Sequence, residues 1–158
     1  MYAIPWYVVL FQSIPEAILV ILLGFKLYNL NISIKHIIII SSISCMFGFF
    51  IRMLPIPFGI HTFSFVLISA VLVSSITNIK FWHSLICIMT GVIIEGVLQS
   101  LMLPVILGII NVSFNELSLY PALIILAFIP LCIVMLGIYM LVNKCGFVIY
   151  DLSIHHEV

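Results

Sequence analysis

Charge is scarce in this chain. Five lysine or arginine residues and five aspartate or glutamate residues are spread over 158 positions. That balance leaves no basic face for nucleic acid, and so little polar content is the reverse of a disordered composition. Paired cysteines are lacking too. Cys45, Cys87, Cys132 and Cys145 stand apart, without the spacing of a metal or redox motif. They read as small apolar residues, and neither a metal site nor a cofactor is expected. The N-terminus also lacks a positive region and a small-residue cleavage pattern, so the first apolar run is expected to stay in the mature chain.

What is present is apolar side chain, 65% of the residues, with a mean hydropathy of +1.45. A soluble core of this size has no use for so much apolar surface. The residues fall into runs of about 4–25, 37–54, 60–77, 84–104 and 121–142, followed by a short tail over 143–158. Each is long enough for a bilayer's hydrocarbon core of roughly 30 Å, or nearly so. Lipid leaves backbone groups no water to bond, so the runs should be helices. The expected fold is all-α, a polytopic bundle of five transmembrane helices forming a single domain. The fourth apolar stretch continues to Ile110, too long for one straight span, and Pro104 is expected to kink or end it.

Lysine placement suggests an orientation. Lys26, Lys35, Lys80 and Lys144 fall on one side of a five-span chain, and Arg52 alone falls on the other. The positive-inside bias then puts the N-terminus outside and the C-terminus in the cytoplasm. Trp6, Tyr7, Tyr28, Phe81, Trp82 and Tyr120 sit near span ends, as an aromatic belt would.

The polar residues inside the runs carry the functional argument. Gln12 and Glu16 lie in the first run, Glu95 and Gln99 in the fourth. An ionisable group at that depth is costly and normally has a task. A spacing of four puts each pair on one helix face. Counting about 1.5 Å per residue along antiparallel spans places both glutamates near the midplane and both glutamines about one turn further out. Were the first and fourth spans to pack together, the pairs would face each other and bind a proton, a cation or a polar ligand group. Two carboxylates in one low-dielectric site cannot both ionise cheaply and are expected to share a proton. The plainer alternative is that each glutamate is protonated and only bonds a neighbouring helix. Gly91 shares the face of Glu95, which allows close helix approach, and Pro15 frees a backbone carbonyl beside Glu16.

A second candidate is the connector Arg52-Met53-Leu54-Pro55-Ile56-Pro57-Phe58-Gly59-Ile60-His61-Thr62. Its prolines and glycine make a stiff, non-helical link. Arg52 would bind an anionic lipid or ligand group, pair with Glu95 or Glu116, or simply anchor at the interface. His61 would sense pH or ligate a metal, against the simpler reading of a bonded surface histidine. His155, His156 and Glu157 read as a solvated end. Ser41, Ser44, Cys45 and Gly48 form a small-residue stripe for helix packing, or a face for a partner.

The connector resembles a segment that recurs in multi-span regions at the N-terminus of sensor histidine kinases with a GHKL-type ATPase domain, in Firmicutes and especially clostridia. The resemblance extends to five spans, mid-membrane glutamates and a cytoplasmic C-terminus. It implies a sensory input module in a bacterial cytoplasmic membrane, whose last span signals to a cytoplasmic helix. This sequence departs from the family in that no dimerisation helix or ATPase domain follows Lys144. Either the chain is an excised or degenerate input domain, or it works with a second copy or a separate signalling protein, alongside the lipid bilayer. Gly59-Ile60-His61 also resembles the catalytic histidine region of membrane peptidases that process quorum-sensing peptides. Those enzymes need a cysteine nucleophile shortly downstream, and residues 62–69 contain none. No catalytic residue is assigned. A small transporter subunit coupling through the glutamates is the alternative function, and a structural role in a membrane complex is a third.

Overall fold

The computed structural model describes residues 6–52, 59–112 and 121–152. Helix α1 spans Trp6–Leu27, α2 Ile34–Arg52, α3 Ile60–Thr77, α4 Phe81–Ile110 and α5 Pro121–Cys145. All five are long and apolar enough to cross a membrane.

Asparagine does much of the helix stopping. Asn29, Asn78 and Asn111 follow α1, α3 and α4 with φ near +57°, +56° and +56°. Asparagine tolerates this left-handed conformation better than most side chains. The amides of Leu30 and Val112 then bond back to the carbonyls of Phe25 and Leu107, closing the last turn. Gly146, with φ +63°, ends α5 in the same way, the Phe147 amide reaching the Val142 carbonyl.

The helix α4 does not end at Pro104. It continues to Ile110, thirty residues or about 45 Å at 1.5 Å per residue. Proline gives up one internal hydrogen bond, and the turns on either side still hold.

Helix α1 is the centre of the bundle, packing on α2, α4 and α5, and α4 lies beside it. On one side α2 and α3 complete a circuit, α1 to α2 to α3 to α4; on the other, α5 packs on both α1 and α4. Two apolar clusters follow this division. Ile21, Phe25, Ile40, Ala70, Val73 and Ile88 fill the first side, while Leu19, Leu23, Leu27 and Met135 fill the second.

Polarity is distributed inside out. Ser41, Ser44, Ser69 and Ser84 are fully buried. Ile93, Val97, Leu101, Val105 and Ile109, a stripe at helical spacing down the outer face of α4, are between 53% and 76% exposed. An apolar stripe of that length is unusual in water. The bundle is compatible with an integral membrane protein.

The small-residue stripe of α2 packs inward. The Ser69 hydroxyl donates to Ser44 Oγ at 2.9 Å, tying α3 to α2, and the Cys45 thiol reaches the Ser13 carbonyl of α1 at 3.1 Å. Ser41, Ser44 and Cys45 are consumed inside the chain, so this stripe does not offer the partner face considered above.

Candidate functional site

Register along α1 and α4 is fixed by two glycines. A Cβ added at Gly24 would collide with the Cys87 carbonyl, and one added at Gly91 with the Val20 carbonyl. Only glycine lets backbone meet backbone at these points. Moving four residues back along α1 and four forward along α4 carries Gly24–Cys87 to Val20–Gly91. The same step carries it on to Glu16–Glu95, and then to Gln12–Gln99. Glu16 lies midway along α1 and Glu95 midway along α4, at the same level in this register.

Beyond the glutamates lies a cavity. Gln12 and Gln99 line this space of about 50 Å³ together with Met102 and Ile106 of α4 and Ala127 and Phe128 of α5. A water needs roughly 10–15 Å³ of this measure, so the cavity has room for a few small groups. Gln12 reaches it from a widened turn. Residues Val9–Ser13 are π-helical, and the Ile14 amide bonds to the Val9 carbonyl. Pro15 has no N–H and crowds the carbonyl one turn earlier, which explains why the turn opens just before it. Single π turns inside α-helices are frequent at functional sites.

Two acceptors in this seam have no partner. Gln12 Oε1 and Glu95 Oε1 are both buried without a hydrogen bond among the described residues. Buried polar atoms are nearly always bonded, and an exception calls for an explanation. Glu16, by contrast, is engaged by a neighbour.

The remaining candidates lie elsewhere. Arg52 ends α2, a different level of the bundle from Glu95; its side chain, residues 53–58 and Glu116 lie outside the described residues, as do Tyr120, His155, His156 and Glu157. His61 sits in the first turn of α3, half-buried, with Nδ1 unbonded. Among the described residues no three metal-ligating side chains gather. Trp6 and Trp82 are 68% and 70% exposed, as belt residues would be. Tyr28 instead turns inward to Thr90 Oγ1 at 3.0 Å. The Thr90 hydroxyl spends its proton on the Ile86 carbonyl at 2.9 Å, so Tyr28 is the donor.

Compared with protein-family models, curated proteins and solved structures, the chain matches none. Its chemistry is therefore argued from this geometry.

One contact went unsignalled in the sequence. After Gly146 the chain folds along the end of α1. The Ile149 amide donates to the Leu27 carbonyl at 2.8 Å and the Leu152 amide to the Tyr28 carbonyl at 3.2 Å. Asn29 Nδ2 adds a bond to Asp151 Oδ2 at 2.9 Å, and Leu152 enters the first apolar cluster. Carbonyls in a helix's last turn lack internal partners, and this segment supplies them. The end of α5 is thereby tied to the end of α1.

Proposed function

We propose that the chain is an integral protein of a bacterial cytoplasmic membrane, N-terminus outside, acting as a sensory input module. A proton, a small cation or a polar ligand group binds among Gln12, Glu16, Glu95 and Gln99, and the altered packing passes through α5 to the tail. The observation that carries this reading is the pair of unbonded buried acceptors, Gln12 Oε1 and Glu95 Oε1. Two bare acceptors about one turn apart along the same seam call for a donor or a positive charge. Support for the relay comes from α5, which lines the cavity at one end and is joined to α1 through 147–152 at the other. A bound group shifts the bundle only by favouring one helix packing over another. Beyond the tail the signal would pass to a second copy or to a separate protein, as the resemblance implies.

The matched glutamate–glutamine pairs on antiparallel helices also favour a second reading, a transporter subunit coupling through the same carboxylates. Against it, α1 and α4 are in backbone contact at Gly24 and Gly91, which closes the seam toward the lysine-bearing end.

Cys145 provides the test, because it is exposed and adjoins the tail. A spin label there is recorded in nanodiscs after Cys45, Cys87 and Cys132 are replaced by alanine. Protons, sodium and potassium serve as probes. The expected result is a probe-dependent spectrum that disappears when Glu16 and Glu95 are both changed to glutamine. A label indifferent to every probe, or a response that survives the double change, contradicts the sensor reading. Cation flux into proteoliposomes that needs both glutamates favours the transporter instead.

A further inference from the structure

The lysine-bearing end of the bundle holds a second recess, separate from the glutamate seam. It measures about 40 Å³, and its lining includes Leu22, Phe25 and Lys26 of α1, Asn31 of the following loop, and Tyr139 of α5. Lys26, Asn31 and Tyr139 each carry a hydrogen-bond donor, and Lys26 adds a positive charge. Among the described residues no carboxylate lines the recess. Asp151, a carboxylate at this same end, is held by Asn29. Lys26 is half-buried, and among the described residues its ammonium has no partner. Buried Phe25, Leu30 and Ile37 are among the recess's lining side chains, and α2 and α5 both pack on α1. Lys35, Lys80 and Lys144 are exposed at the same end and add to a positive local field.

A cation left half-buried without a counter-ion calls for an anion, and a recess lined by one cation, two further donors and several apolar side chains suits an amphiphile. We propose that this recess binds the phosphate of an anionic lipid head group, Lys26 and Tyr139 holding the phosphate oxygens while the lipid body lies along the apolar side chains. Basic pockets between helices at such an end of a membrane bundle are apt for this chemistry. The proposal rests on the chain's being an integral membrane protein. It is independent of the glutamate seam.

Native mass spectrometry of the full chain released from nanodiscs of mixed phosphatidylcholine and phosphatidylglycerol tests it. The parent should retain phosphatidylglycerol in preference to phosphatidylcholine. Lys26→Gln should weaken that retention about fivefold or more, as loss of one basic contact implies. Tyr139→Phe should weaken it less, Lys26→Arg should keep it, and Lys144→Gln, at an exposed lysine of the same end, should leave it within about twofold. Equal losses for Lys26→Gln and Lys144→Gln would mean a general surface field and overturn the site, as would a parent without preference. In neutral-lipid nanodiscs, a Lys26-dependent phosphorus resonance from added inorganic phosphate would overturn the lipid as the source. A chain that does not enter nanodiscs at all speaks instead against the membrane reading, and helical circular dichroism of each variant separates misfolding from lost binding.

Discussion

The two halves of the α1–α4 seam are built on opposite plans. From Glu16 toward the lysine-bearing end, Gly24 and Gly91 have no side chain and the backbones touch. From Glu16 the other way, Gln12 and Gln99 line a cavity whose remaining walls come from α4 and α5. In lipid, close packing of small residues brings helices together without help from water. The closed half therefore supplies adhesion, while the open half gives up contact and leaves acceptors bare. In the sensor reading proposed above, the open half would respond to a ligand and the closed half would act as its fulcrum.

Several substitutions sharpen or break this contrast. The largest effect is expected at the closed half. Gly91→Val drives side-chain atoms into the Val20 carbonyl, which is backbone and cannot swing aside. A cost of about 3 kcal/mol or more is expected, seen as lost folded yield and a lower unfolding midpoint in bicelles. A mild response at Gly91 or at Gly24→Val would show that the backbones are not in contact.

Ser44→Ala should act more gently. It removes the acceptor of the 2.9 Å bond from Ser69, and such bonds between membrane helices average about 0.6 kcal/mol. A double-mutant cycle with Ser69→Ala isolates that value, and zero coupling would mean that the bond is not formed. Smallest is Gly96→Ala. Gly96 lies next to Glu95, yet nothing stands within 4 Å of its added Cβ. Helix propensity alone predicts a gain of at most about 1 kcal/mol. A marked loss there would place an unrecognised neighbour against α4.

Much of this plan is written in the sequence, though unevenly. The apolar runs delimit five helices because lipid permits almost nothing else. The four-residue spacing of Gln12 with Glu16 and of Glu95 with Gln99 gives matching depth by simple counting, and Gly91 announces close approach on that face. That α1 meets α4 was only a condition, because apolar composition does not say which helices are neighbours. Gly24 falls on the face of Gln12 and Glu16 at two further steps of four, but at that distance from the glutamate it did not stand out among its leucine neighbours. Asn29, Asn78 and Asn111 read as plain polar breaks, although their left-handed conformation ends the helices. The docking of 147–152 was illegible because backbone amides make it, and these belong to every residue alike. Pro15 was visible, but the widened turn just before it was not read from the sequence.

The central claim is that Glu16 and Glu95 form one coupled site. Infrared difference spectroscopy of the carboxyl stretch, on chain reconstituted in bilayers and followed over about pH 5 to 9, tests it most directly, with Glu16→Gln and Glu95→Gln each measured alone. Interacting carboxyls titrate as a pair and not singly. The predicted result is that removing either carboxyl changes the band position and titration of the one that remains. Two bands that stay unchanged whichever glutamate is replaced would contradict the account and leave the seam as a packing interface.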